Sequence, residues 1–206
     1  MGHSFYRKVG KRALDSIVSF AGLVLASPVL LVVAALVKST SPGPALFWQE
    51  RVGLGGLAFR IVKFRTMCRD ADQRGPAITS ADDARVTTVG RWLRRLKLDE
   101  LPQLWNVLKG EMSLVGPRPE VPRYVESYSS AYRRVLTVRP GITDPASIAY
   151  RREEDLLAGR ADLDRYYREV VLPDKLTKNL EYLDRMSFTY DLLLLIRTTK
   201  AVLLPR

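Results

Sequence analysis

Histidine and cysteine are almost missing from this chain of 206 residues: His3 is the single histidine and Cys68 the single cysteine. One cysteine forbids an intramolecular disulfide and suits a reducing compartment. One histidine, beside the terminus, excludes a Ser-His triad, a Cys-His pair and a His-rich metal centre. Any catalysis must then use carboxylates, Lys, Arg, Tyr or a metal held by oxygen ligands. Negative charge is also scarce, with 22 acidic against 33 basic residues and a net charge of +11. That balance implies an anionic partner: nucleic acid, a phosphorylated substrate or an acidic membrane face. No helix-turn-helix, zinc-finger or RNP string is present, and the aromatics do not interleave with the basic clusters, which argues against nucleic acid. Internal repeats and low-complexity segments are lacking too. Gly53-Leu54-Gly55-Gly56 falls short of a full GxGxxG and opens no helical pattern, so it reads as a hairpin turn.

What the chain has is one long uncharged apolar run, residues 17–37, behind the basic residues Arg7, Lys8, Lys11 and Arg12. The run is long enough to cross a bilayer as a straight helix. It is too long for a signal peptide, and Tyr6 breaks the myristoylation pattern. Two readings of it stand. One is an ordinary spanning anchor. The other is a helix that enters the membrane, breaks at Ser27-Pro28 and returns to the same face. Pro28 removes a backbone hydrogen bond, and the Ser27 hydroxyl can partly satisfy the freed group. Basic residues flank both ends, with Lys38, Arg51, Arg60, Lys63 and Arg65 downstream, which draws both ends to the cytoplasm.

Residues 39–44 (STSPGP) break the helix and open a second region. ALFWQERV and LAFRIVKFRTM read as two strands about the glycine turn, with Lys63 and Arg65 on one face of the second. Residues 68–85 read as a polar loop, in which Asp82 and Asp83 form a turn rather than a metal site. Residues 88–96 form a basic amphipathic helix with Trp92, Leu93 and Leu96 on one side. In residues 91–120 (RWLRRLKLDELPQLWNVLKGEMSLVGPRPE), Asp99 reads as the N-cap of a helix that Gly110 ends. Arg91, Arg94, Arg95 and Lys97 precede the carboxylate pair, and Arg118 sits between Pro117 and Pro119. Residues 121–136 form a further helix whose Tyr124, Tyr128 and Tyr132 make a packing stripe, and the C-terminal DLLLLIRTTKAVLLPR is a last apolar helix.

LDELPQLWNVLKGEMSLVGPRPE resembles the catalytic segment of the monotopic phosphoglycosyl transferases, bacterial sugar transferases that start glycan assembly on a polyprenol phosphate. The resemblance extends to the Ser-Pro in the apolar run, to KFRTM and to RPGIT, and covers most of the chain up to about residue 145. It implies an α+β, mostly helical protein. Residues 1–40 would be a re-entrant membrane helix bent at Ser27-Pro28, and 41–206 a small cytoplasmic catalytic domain with a short β-hairpin and membrane-surface helices. The location would be the cytoplasmic face of the bacterial inner membrane.

The reaction it implies takes a UDP-sugar. Asp99 attacks the β-phosphate, UMP leaves, and polyprenol phosphate, with undecaprenyl phosphate the expected lipid, collects the phosphosugar from an aspartyl intermediate. Asp99 is the nucleophile, and Glu100 orients the metal or moves a proton. Lys63, Arg65, Arg94, Arg118 and Arg139 are the expected phosphate or substrate contacts. Mg²⁺ is the expected cofactor, on Asp99 and Glu100, because a hard ion suits carboxylate and phosphate oxygens together. Anionic inner-leaflet lipids are expected partners, nucleic acid is not, and a homodimer is one possible assembly. From Asp144 the chain departs from the commoner family pattern, reading DPASIAYR where many members read GWAQVNGR.

Overall fold

The structure, a computed structural model, describes residues 6–75 and 78–203. His3 and Ser4 lie outside the described residues. Helices dominate, with two small two-stranded sheets.

The apolar run lies within helix α1, Lys11–Thr40, the one described helix long and apolar enough to cross a membrane. It continues through Pro28. Proline lacks the N–H that would bond the Val24 carbonyl four residues back. The Ser27 hydroxyl donates to that same carbonyl at 2.7 Å, so the Ser-Pro pair repairs its own gap. Both halves of α1 are seated on the rest of the protein. On the first, Asp15 accepts the Leu114 amide at 3.0 Å, and Arg12 donates to the Val107 and Leu108 carbonyls. On the second, Val33 and Val37 pack with Phe64 and Leu93. Between Ser19 and Val33 no residue is buried. Leu25 and Leu31 are 80% and 73% exposed, a surface that water disfavours and lipid does not.

Strands β1 (Leu46–Val52) and β2 (Ala58–Phe64) pair antiparallel about the glycine turn, with Trp48 opposite Val62. Arg65 lies beyond the strand, so Arg65 and Lys63 do not share a strand face as expected. Helix α2 spans Thr88–Arg95, N-capped by Thr87, which accepts from the Gly90 amide at 2.9 Å. Its inward residue is Leu93, while Trp92 is half exposed. Next comes a 3₁₀ segment, Leu98–Gln103, and only then α3, Leu104–Lys109, closed by Gly110 at φ 87°. Asp99 is therefore not the expected N-cap. Lys97, in the left-handed region at φ 55°, turns the chain, and Asp99 and Glu100 ride the first 3₁₀ turn.

β1 covers one edge of β2, and α3 covers the other. Asn106, fully buried, accepts from Val62 N at 3.0 Å and donates to Arg60 O at 2.8 Å, as a third strand would. This pins the 3₁₀ segment against the strand that carries Lys63.

β3 (Ser113–Val115) and β4 (Gly141–Thr143) form a parallel pair. RPGIT, expected as a turn, thus enters a strand. A Cβ on Gly141 would meet the Gly116 backbone at 2.1 Å, so the two chains can approach this closely only as glycines. The expected helix over 121–136 divides into α4 (Pro122–Val125) and a 3₁₀ segment, Tyr132–Thr137. Its tyrosines still pack together, Tyr124 and Tyr128 inside one core cluster and Tyr132 against it.

Short helices α5 (Pro145–Ala149), α6 (Glu153–Leu157) and α7 (Leu163–Tyr166) follow, then a π-helical stretch, Tyr167–Val171. Helices α8 (Leu172–Arg185) and α9 (Phe188–Leu203) close the fold. Asp191 of α9 accepts from Tyr6 and Tyr182 at 2.6 and 2.7 Å and pairs with Lys11, tying the entry of α1 to the last helix.

Asn106→Ala should leave two β2 backbone groups without partners. At about 1–3 kcal/mol for a buried group so stranded, we expect the melting temperature of the detergent-solubilised chain to fall by several degrees. An unchanged melting curve would show that Asn106 does not hold the edge.

Candidate active site

Lys63 stands one residue from the end of β2, facing the 3₁₀ segment that Asn106 pins to that strand. Its Nζ lies 3.2 Å from Glu100 Oε1. Arg118 reaches the same carboxylate from the loop after β3. Nη1 donates to Oε2 at 3.1 Å and Nη2 bonds Oε1, the two-pronged geometry that only a guanidinium provides. Glu100 is thus clamped between two cations. Burial alone would raise its pKa, yet Arg118 and Lys63 hold it well below the usual carboxylate range. Burial lowers Lys63 to about 8 against the pull of Glu100.

Asp99 has the opposite environment. It is 7% exposed, and Oδ1 is sealed with no hydrogen-bond partner. Burial, then repulsion from Glu100, pushes its pKa up, while Lys63, Lys97 and Arg94 pull it down. Adjacent carboxylates thus hold different roles: Glu100 is locked and ionised, and Asp99 is uncommitted.

The Arg118 loop is braced on three sides. The parallel pair fixes its start, with Gly141 N donating to Pro117 O at 2.9 Å. Asp144, fully buried, accepts the Arg118 amide at 2.7 Å with one oxygen and caps α5 through Ser147 N at 2.5 Å with the other. Burial raises the Asp144 pKa, and the Ser147 amide, Lys175 and Arg118 oppose the rise. Arg51 donates to Pro119 O at 3.1 Å and lies 3.7 Å from Glu120. Neither Asp144 nor Arg51 was a candidate from sequence. Asp144 opens the divergent segment, and Arg51 looked like one more flanking cation.

The other expected contacts have other partners. Arg94 bonds Thr66 Oγ1 and Glu154 Oε1, each at 2.9 Å, at the edge of the site. Arg65 caps the end of α1, donating to Ser41 O at 2.8 Å and Val37 O at 3.3 Å. Arg139 donates to Gly110 O at 2.8 Å, at the end of α3. Lys63, Asp99, Glu100 and Arg118 come together; Arg65 and Arg139 do not join them.

The profile of the family described as bacterial sugar transferase matches residues 6–205. The chain belongs to the bacterial sugar transferase family. It is 38% identical over 198 residues to the UDP-N-acetylgalactosamine-undecaprenyl-phosphate N-acetylgalactosaminephosphotransferase of Aeromonas hydrophila, covering 94% of this chain and 43% of that protein. It is 42% identical over 207 residues to the undecaprenyl-phosphate glucose phosphotransferase of Komagataeibacter xylinus, covering 95% and 36%. Against the UDP-glucose:undecaprenyl-phosphate glucose-1-phosphate transferase of Caulobacter vibrioides it is 39% identical over 199 residues, covering 94% and 69%. The chain therefore spans about two fifths of the first two relatives and about two thirds of the third.

No group of three His, Cys, Asp or Glu side chains able to hold a metal stands among the described residues of this bacterial sugar transferase. Magnesium does not need one, since one or two carboxylates with substrate phosphates suffice. Asp99 fits that donor set. Glu100, with both oxygens held by Arg118 and Lys63, fits it less well.

Arg118→Lys keeps the charge and loses the fork. With charge-assisted hydrogen bonds worth about 1.5–3 kcal/mol, we expect the chain's transferase activity to fall tenfold or more in kcat/KM. Unaltered kinetics would leave Arg118 only a brace for its own turn.

Proposed function

We propose that the chain transfers a sugar 1-phosphate from a UDP-sugar to a polyprenol phosphate, through a phosphosugar-aspartyl intermediate on Asp99. The observation that carries this reading is the contrast within one dipeptide. Glu100 is fully paired with Lys63 and Arg118, while Asp99 keeps a buried oxygen unpaired under the influence of Lys63, Lys97 and Arg94. A carboxylate attacking phosphorus needs to be unengaged, close to positive charge and shielded from water. The relatives' names, which specify undecaprenyl phosphate, support the acceptor class.

In the first step an Asp99 oxygen bonds to the β-phosphorus, and the bond from that phosphorus to the bridging oxygen breaks. UMP leaves with the bonding electrons. In the second step a phosphate oxygen of the lipid attacks the same phosphorus and releases the Asp99 carboxylate, forming polyprenyl-diphosphate-sugar. Arg118 and Lys63 supply the charge that lets the diphosphate approach Asp99, and Glu100 keeps both cations aimed. Arg94 joins them by exchanging Glu154 for a phosphate oxygen. A magnesium ion, with Asp99 and substrate oxygens as ligands, would when bound draw charge from the diphosphate. The lipid arrives because α1 is membrane-embedded as a re-entrant helix, its exposed middle in the bilayer. The seating of both halves on one body supports that reading, as do the basic flanks, which favour the cytoplasmic face.

Incubation with UDP-glucose or UDP-N-acetylgalactosamine, without lipid, should leave a phosphosugar on the Asp99 peptide, read by mass spectrometry. Asp99→Asn should abolish it, and full turnover by Asp99→Asn would end the covalent proposal.

A second measurement addresses topology. In a Cys68→Ser background with a single cysteine at position 4, intact cells should protect that cysteine from an impermeant thiol reagent. Replacing Ser27 and Pro28 by Leu should expose it in part of the population. Labelling at position 4 in the Ser27-Pro28 protein, with position 68 protected in its Cys68 counterpart, would make α1 an ordinary spanning anchor.

A further inference from the structure

Asp99, Gln103 and Asn106 lie at i, i+4 and i+7, and all three are buried. Asn106 is fully used in holding β2. Gln103 is not. It is 0% exposed, yet neither Oε1 nor Nε2 has a hydrogen-bond partner. Seven buried side-chain atoms among the described residues lack partners, and three of them are Asp99 Oδ1 and the two ends of the Gln103 amide. Such atoms are rare because each gives up its bonds to water for nothing. A leucine would fill the same space without that penalty. The glutamine therefore calls for an explanation beyond packing.

The orphans are complementary. Nε2 is a donor without an acceptor, and Oδ1 is an acceptor without a donor. They belong to the first and last turns of one 3₁₀ segment, Leu98–Gln103. Hydrogen bonds at catalytic groups are often open in the free enzyme and close only when substrate is in place.

We propose that Gln103 is a positioning residue for the nucleophile: when the UDP-sugar binds, its Nε2–H closes on Asp99 Oδ1 and turns the other carboxylate oxygen to the β-phosphorus. The inference rests on the covalent reading of Asp99. Gln103 touches neither sugar nor nucleotide. It fixes one carboxylate oxygen so that the attacking one has a single orientation, which raises the rate of the bond-forming step without altering how tightly the donor binds.

The test uses the full chain in detergent, with UDP-glucose and UDP-N-acetylgalactosamine as probes and no lipid acceptor. Adduct formation is followed in a single turnover by quenching and intact mass, alongside thermal melting. Gln103→Leu and Gln103→Met remove the amide and keep the volume. Each should slow adduct formation tenfold or more at saturating donor, a loss of about 1.4 kcal/mol or more by the conversion of rate to barrier. The half-saturating donor concentration should stay within about twofold, and the melting temperature should hold or rise, since unpaired buried atoms are removed. Gln103→Asn, with the amide one methylene short, should behave like Leu in rate.

Wild-type rates in Gln103→Leu or Gln103→Met would overturn the proposal. So would a rate loss matched by a fall in melting temperature, or failure of both variants to fold, since Gln103 would then be a core support. If the wild-type chain turns over the donor and leaves no adduct, the covalent reading itself fails and the role of Gln103 falls with it. An adduct in wild type with no effect in the variants removes Gln103 alone.

Discussion

The arrangement depends on one ion cluster, the clamp of Lys63 and Arg118 on Glu100. Two cations brought this close and partly buried repel each other, and each loses solvation. Glu100 makes their proximity tolerable and aims both. The fold delivers the three groups from separate places. β2 brings Lys63, the 3₁₀ segment brings Glu100, and the loop after β3 brings Arg118. Asn106 fixes the first two to each other, and the glycine-close β3–β4 pair with Asp144 fixes the third. The small sheets thus act as alignment devices more than as a core.

Consecutive residues acquire opposite electrostatic character because they point to different surroundings. Glu100 turns to cations and is held ionised; Asp99 turns inward, where burial and its neighbour's charge oppose ionisation. The cluster carries two positive charges against one committed carboxylate. An approaching anion meets residual positive potential. Arg94 is held by Glu154 of α6, a residue of the segment that follows the departure from the commoner family pattern. That segment therefore reaches the edge of the site through the Glu154 carboxylate.

Legibility from the sequence followed the range of the forces involved. The apolar helix, the hairpin and the basic helix were readable because hydrophobic periodicity and turn chemistry are local. The family was readable from a long, gapless string around Asp99. The 3₁₀ segment was not, because it starts at Lys97 in the left-handed region, a conformation for which lysine carries no signal. The parallel β3–β4 pair joins strands some 28 residues apart, Ser113 with Gly141, and three-residue strands carry no periodic signature. Arg65 and Arg139 resembled Arg118 as isolated cations near motifs. Only the packing reveals that each terminates a helix by donating to its last carbonyls. Asp144 and Gln103 escaped notice because their importance lies in a partner gained or missing, which spacing does not encode.

Helix α1 is held at two places, near Asp15 and near Val37, with a bare apolar stretch between them. A rod fastened at one end is a tether, and the body it carries can swing. Fastened at both ends it becomes a bracket, and whatever phase accepts the bare stretch fixes the body's height and tilt together. The cluster of Lys63, Glu100 and Arg118 is then carried at one set level relative to that phase. A ligand dissolved in the phase can be found by lateral diffusion alone, without the body having to reorient.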